Sequence, residues 1–218
     1  MERVVSGVLR AAMATIVACA AVCHAPAGAA IRPAAASCRA LSASLREQLE
    51  TVTEAVIDGR PAAVPVAAHR AMTWWTTYGR SLDRGPEADS LVARMSRAAR
   101  GGQPQEAARD AVRLSVQSLG WCGGELGTTD RLMLVDLAGM TGWLRARGAR
   151  LDWPGGAETA ADSLASALVA RGRGALAAQL RRSLAATLSM PEVAAGDIHA
   201  AVRLLDTVDL VEKALRSR

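Results

Sequence analysis

From Cys38 onward, apolar residues recur at every third or fourth position, and each periodic block ends at a glycine or a proline. This spacing places apolar side chains on one face of an α-helix, whereas a half-buried strand alternates apolar and polar residues. The first stripe stops at Gly59, before Pro61, and consists of Leu41, Leu45, Leu49, Val52 and Val56. The pattern predicts an all-α protein.

The glycines and prolines that interrupt the apolar pattern predict about seven or eight helices. After the first helix, blocks are expected over residues 62–84, 86–101, 104–119, 129–148, 157–171 and 174–189, and beyond Asp197. Gly172 and Gly174 mark either a turn or a kink, which leaves the number open. No repeat of fixed period occurs, so we expect a single-domain helical bundle over residues 38–218, preceded by an Ala/Pro-rich linker at 31–37.

Residues 1–30 have the order of a secretory signal peptide. The first ten residues contain Arg3 and Arg10, an uncharged apolar run covers 11–23, and small residues follow. The run is shorter than the ~20 residues that a transmembrane helix needs. We therefore expect no membrane span, cleavage near 27–30, and a periplasmic or secreted protein.

An alternative leader is a lipoprotein signal, because Ile16, Val17, Ala18 and Cys19 resemble a lipobox. Cleavage at Cys19 would leave an odd number of cysteines in an oxidising compartment, whereas cleavage later leaves two. The second outcome is favoured, and a lipid anchor at Cys19 is the minority hypothesis. The nearby C-x-x-x-C-H sequence is one residue longer than a haem-attachment motif and would be removed with the leader.

The two cysteines that follow the leader predict a disulfide. Cys38 begins the first helix and Cys122 follows the fourth. Three reversals of direction in an up-and-down bundle return these positions to the same end. Export favours a disulfide over two free thiols, and a structural zinc site needs four ligands.

The charge balance argues against nucleic acid as a partner. The chain carries 26 basic and 21 acidic residues, and Lys213 is the only lysine. Such a mild excess, in an exported protein, does not predict a polyanion-binding surface. Five arginines end predicted helices, where they complement the helix dipole: Arg97, Arg100, Arg145, Arg147 and Arg171.

Motifs for common chemistries are absent from the sequence. It contains no G-x-S-x-G, H-E-x-x-H, phosphate-binding loop or Glu-x-x-His pair. His69 and His199 fall on polar helix faces at helical spacing. We therefore expect no metal site and no cofactor.

Asp136 is the residue that breaks its local pattern. Its neighbours at helical spacing are Leu132, Met133, Met140 and Trp143. A carboxyl buried in an apolar stripe acquires a raised pKa, and such a group can act as an acid catalyst or bind a ligand. The favoured interpretation is a structural pair with an arginine of an adjacent helix, because buried ion pairs also perturb pKa values.

Trp74 and Trp75 are adjacent and share the apolar face of the predicted second helix. In a protein without Phe, two large rings suit the wall of a pocket for an apolar ligand, although core filling is the commoner role. The candidate ligand-binding residues are Trp74, Trp75, Asp136 and Trp143.

These observations favour an exported, non-enzymatic helical protein of the bacterial cell envelope that binds a protein partner or an apolar small ligand. The first alternative is a small periplasmic enzyme that uses Asp136 as its acid and arginines to hold an anionic substrate. A helical cytochrome-like protein is a third and weaker hypothesis.

Overall fold

A computed structural model describes residues 35–82, 84–190 and 198–217, with only the backbone described at 35–37. In these ranges the chain forms eight α-helices and no strand, and residues 32–218 form one compact unit. The helices are α1 Ala35–Ile57, α2 Val64–Tyr78, α3 Ala88–Arg100, α4 Pro104–Ser118, α5 Thr128–Ala146, α6 Ala157–Ala170, α7 Gly174–Leu188 and α8 His199–Arg216. The predicted all-α bundle is confirmed.

The helix boundaries follow the glycines and prolines with one difference. The second helix, expected over 62–84, ends at Tyr78 and continues as a single 3-10 turn, Gly79–Ser81. Leu82 then adopts extended backbone and places its side chain in the core, which ends the helical run. Gly172 separates α6 from α7 as a turn, with φ of +71°.

Some predictions lie outside the described residues. These are the leader at 1–30 with Cys19, Asp197, after which the last helix is predicted, and most of the linker at 31–37. Within the described ranges, every helix is too short or too polar to cross a bilayer.

Helix α5 is shared by two apolar clusters. Leu137 and Leu144 belong to a cluster formed with α1–α4. Leu134 and Ala138 belong to a second cluster, formed with α6–α8. Residues 137–145 are buried without interruption, as expected for a helix with neighbours on all sides.

Two glycines allow neighbouring helices to approach α5 closely. A Cβ at Gly139 would lie 2.7 Å from Leu205 Cδ2 of α8, and one at Gly142 would lie 2.6 Å from Thr187 Cγ2 of α7. Real Cβ atoms do not sit at such distances, so a larger residue at either position would force Leu205 or Thr187 to move. The glycines therefore allow the close packing of these side chains of α8 and α7 on α5.

The predicted disulfide joins Cys38 and Cys122, whose Cα atoms are 5.7 Å apart. Neighbouring polar contacts hold the same two segments together. Arg39 Nη2 donates to the Gly123 carbonyl at 3.3 Å, and buried Arg46 pairs with Asp130 at 2.7 Å. The start of α1 is thus tied to the connection between α4 and α5.

Replacing Cys38 and Cys122 together by serine should lower the free energy of unfolding by about 4 kcal/mol, because the unfolded chain regains the freedom of a loop of 84 positions. Urea unfolding followed by circular dichroism measures the change. The control is the wild type, measured once with its disulfide intact and once after reduction. Equal midpoints for the variant and the oxidised wild type would contradict the prediction.

Candidate functional site

A cleft of about 630 Å³ lies between α3, α4 and the segment 151–154. We call it the Trp153 cleft. Its apolar lining consists of Leu91, Val112, Val116, Leu151, Trp153 and Pro154, and its polar lining of Glu87, Ser90, Arg94, Arg113, Gln117 and Asp152. The lining is thus half apolar and half polar, and a concave surface that combines apolar walls with polar groups can bind a small molecule.

Arg145 holds the loop that forms one wall of the cleft. It lies in the last turn of α5 and is buried. Its Nη1 donates to the Leu151 carbonyl, and its guanidinium carbon lies 4.9 Å from the centre of the Trp153 ring. The expectation that Arg145 only complements the helix dipole is therefore incomplete. It also positions the cleft wall.

The Trp153 ring also lies against α5 at Gly142. A Cβ at Gly142 would lie 3.4 Å from Trp153 Cη2, so the glycine leaves room for the tip of the ring. A ring held by Arg145 and Gly142 loses little conformational freedom when a ligand arrives.

Arg94 reaches the cleft from α3 and is held by Asp110 of α4. Arg94 Nε and Nη2 donate to the two carboxylate oxygens of Asp110 at 3.1 and 3.0 Å, and the Asp110 side chain is 2% exposed. This hydrogen bonding raises the pKa of Arg94. The bidentate pair fixes the relative position of the two helices that form the cleft floor.

Replacing Asp110 with alanine should destabilise the fold by about 1–3 kcal/mol, because a buried, doubly hydrogen-bonded partner is lost while Arg94 keeps access to water. Asp162→Ala is the matched control, since its pair with Arg181 is exposed on both sides and should contribute less than about 1 kcal/mol. Urea midpoints compare the two variants. Similar losses would show that burial of the pair adds nothing.

Gln117 lines the cleft and has one side-chain oxygen without a hydrogen bond to the described residues. Its Nε2 donates to Glu87 Oε2 at 3.3 Å, whereas its Oε1 is buried and has no hydrogen-bond partner within the described residues. A buried carbonyl oxygen without a donor is unfavourable by about 1–3 kcal/mol. A ligand with an N–H or O–H group in this position would remove that penalty.

The charges along the cleft are balanced. Arg94 and Arg113 are matched by Glu87 and Asp152, and Arg113 also donates to the Arg150 carbonyl at 3.3 Å. Since the cleft carries no excess of either sign, it does not favour a multiply charged ligand.

The two adjacent tryptophans contact different helices. Trp74 Nε1 donates to Ser44 Oγ of α1 at 3.0 Å, and its ring packs on Tyr78. Trp75 is buried and donates to Asp89 Oδ1 of α3 at 2.8 Å. Neither ring is among the residues that line the Trp153 cleft. Ligand binding at Trp74 or Trp75 stays a prediction.

Trp143 lies in the apolar cluster shared with α1–α4, and Arg147 covers its ring at 5.0 Å. It too does not line the Trp153 cleft. The candidates taken from the sequence are therefore spread over several helices. The residues that do form the cleft are distant in sequence, and Trp153 beside Pro154 in a loop was their only local signal.

Asp136 lies among carboxylates. Burial raises the pKa of Asp136 well above its ordinary value, and four acidic residues add to the increase: Glu50 and Glu54 of α1, with Asp209 and Glu212 of α8. In the described part of the chain, no arginine is among the groups that shift this pKa. The expected pair with an arginine is therefore not seen there.

The fold should become less stable as the pH rises above about 4, where aspartate in the unfolded chain loses its proton. The native state still binds that proton, so each further pH unit favours unfolding until the raised native pKa is passed. Asp136→Asn should weaken this dependence and raise the melting temperature near neutral pH. Asp152→Asn, at an exposed site, is the control. Parallel pH curves for the wild type and Asp136→Asn would contradict the assignment.

No group of metal-binding side chains is found among the residues that the structure describes. In comparisons with protein-family models, curated proteins and solved structures, none matches this chain. The geometry of the chain's own residues is thus the basis for a functional assignment.

Proposed function

We propose that this chain is an exported, non-enzymatic protein of the bacterial cell envelope that binds a small, largely apolar ligand in the Trp153 cleft. The ligand carries an N–H or O–H group that reaches Gln117. The observation that carries the proposal is the buried Gln117 Oε1, which has no hydrogen-bond partner among the described residues and belongs to a side chain that lines a cleft of mixed polar and apolar residues.

The volume of the cleft and the fixed position of its wall favour a small molecule over a protein partner. A volume of about 630 Å³ falls within the range of ligand pockets, which is about 300–1,000 Å³. Its wall is held before any ligand binds, by Arg145 on Leu151 and Trp153. Prior ordering lowers the entropy lost on binding.

Export is supported by the order of charges and apolar residues in 1–30 and by the disulfide between Cys38 and Cys122. Mass spectrometry of the protein recovered from a periplasmic extract tests it. A mature N-terminus near Ala27–Ala30 without lipid is expected. An intact leader in a cytosolic fraction, or a lipidated Cys19, would contradict simple cleavage.

The alternative enzyme would use Asp136 with arginines on an anionic substrate. The raised pKa of Asp136 suits a general acid, but the surrounding Glu50, Glu54, Asp209 and Glu212 would repel an anion. This arrangement favours the binding protein over the enzyme. The visible spectrum of the purified protein separately tests the cytochrome-like hypothesis.

A pair of fluorescent probes tests the cleft. N-phenyl-1-naphthylamine has an apolar body and one N–H group, and its N-methyl derivative lacks that group. Both should bind the wild type, the first about five- to tenfold more tightly, which corresponds to one hydrogen bond to Gln117. Gln117→Leu should remove the difference between the probes. Equal affinities in the wild type would contradict the role of Gln117.

Substitution of Trp153, which forms part of the cleft wall, tests where the probes bind. Trp153→Ala should weaken both probes at least tenfold, because the ring that faces them is lost. Trp74→Ala is the matched control and should leave both affinities unchanged, and circular dichroism checks the fold of each variant. Loss of binding in Trp74→Ala alone would move the site to the tryptophans of α2.

A further inference from the structure

The polar contacts of the Trp153 cleft lie at two separate ends. Helices α3 and α4 are antiparallel neighbours joined by the turn at 101–103, so the start of α3 faces the end of α4. Gln117 Nε2 donates to Glu87 Oε2 at one end, and Arg94 pairs with Asp110 at the other. Seven positions separate the two contacts on each helix, which corresponds to about 10 Å along the helix axes.

We propose that the Trp153 cleft binds an elongated zwitterion, whose ammonium contacts Glu87 and Gln117 and whose carboxylate contacts Arg94. Its apolar body, about 10 Å long, lies along the two helices. The inference rests on the proposed function and deepens it, because it names the class of ligand. That class is a linear amino acid with its amino and carboxyl groups at opposite ends.

The end at Glu87 accepts hydrogen bonds and carries negative charge. Glu87 is exposed, and none of the ion pairs between described residues includes it. Because a carboxylate only accepts, the Gln117 amide turns its nitrogen to Glu87 and leaves the buried Oε1 for another donor. A carboxylate beside an acceptor oxygen fits a cation with several N–H groups, which a primary ammonium has.

The end at Arg94 offers hydrogen-bond donors. Its Nε and Nη2 bind the two Asp110 oxygens, and its Nη1 forms no hydrogen bond to a described residue. The Arg94 side chain is 42% exposed and lines the cleft, whereas the Asp110 side chain is 2% exposed. A ligand therefore meets the free edge of the guanidinium and not the carboxylate behind it. Charged N–H donors of this kind favour a carboxylate.

The charges around Arg94 are balanced. Arg109 pairs with Glu106, and its Nε lies 3.6 Å from Asp110 Oδ1. This end therefore attracts a carboxylate through directed N–H groups rather than through an excess of positive charge. A zwitterion has no net charge, which suits the balanced charges of the whole cleft.

Apolar side chains occupy the interval between the two ends. Three apolar residues lie between the two contacts in sequence and line the cleft: Leu91 of α3, with Val112 and Val116 of α4. The other charged residues of the lining, Arg113 and Asp152, have opposite signs, and Arg113 donates to the Arg150 carbonyl at 3.3 Å. A hydrocarbon chain fits this interval better than a polar one.

Isothermal titration calorimetry of the full mature chain with three eight-carbon compounds tests the proposal. ω-Aminooctanoic acid carries both charged groups, octylamine only the ammonium, and octanoic acid only the carboxylate. The amino acid should bind about tenfold more tightly than either of the others, because it alone makes charged hydrogen bonds at both ends. Affinity for octylamine or octanoic acid equal to that for the amino acid would overturn the proposal.

The length of the ligand is tested with γ-aminobutanoic acid, which has the same two groups on a shorter chain. It cannot reach Glu87 and Arg94 together and should bind about tenfold more weakly than ω-aminooctanoic acid. Equal affinity for the two amino acids would show that the ends are not used together and would overturn the proposal.

Matched variants locate the two ends. Glu87→Gln should remove most of the advantage of ω-aminooctanoic acid over octanoic acid. Arg94→Lys, which keeps a positive charge beside Asp110 but has fewer donors, should remove most of its advantage over octylamine. Glu158→Gln, in the exposed first turn of α6, and Arg181→Lys, in an exposed ion pair, are the controls. Circular dichroism checks each fold, and unchanged affinities in Glu87→Gln would overturn the proposal.

The calorimetric result is distinguishable from that of the naphthylamine probes. Probe binding that Trp153→Ala weakens, together with equal affinities for the three eight-carbon compounds, would overturn the zwitterion and leave the proposed function standing. Tight binding of ω-aminooctanoic acid that Trp153→Ala leaves unchanged would place its site elsewhere and would also overturn the inference. Absence of binding by the probes and by the amino acid would overturn both.

Discussion

The fold depends on the burial of α5 between two apolar clusters. Because its residues contact α1–α4 on one side and α6–α8 on the other, neither group of helices can bury its apolar face without it. Gly139 and Gly142 let α8 and α7 approach this central helix, so small residues matter as much as large ones. Low aromatic content is compatible with a dense interior for this reason.

Helix α5 also determines much of the geometry of the Trp153 cleft. Arg145 and Gly142 lie on α5, and both fix Trp153 in the loop that follows. The opposite side of the cleft is set by α3 and α4, which the Arg94 and Asp110 pair joins. Residues on rigid helices thus define most of the cleft, and one anchored loop closes it.

The sequence predicts the fold far better than the site. Glycines, prolines and apolar spacing are local signals, so they located the helices and the turn at Gly172. The disulfide followed from topology together with an even number of cysteines. The neighbours of Asp136 come from α1 and α8, and the residues around Trp153 come from α3 and α4. Helical periodicity identifies a buried face but not which helix packs on it.

The covalent bond between Cys38 and Cys122 encloses α1–α4 and leaves α6–α8 outside the ring that it closes. The two parts of the fold are therefore held in different ways, one by a crosslink and packing, the other by packing among its own helices and on α5. Amide hydrogens of α6–α8 would exchange through local opening that leaves the crosslinked part intact. Oxidation of the thiols would then act mainly on one half of the molecule.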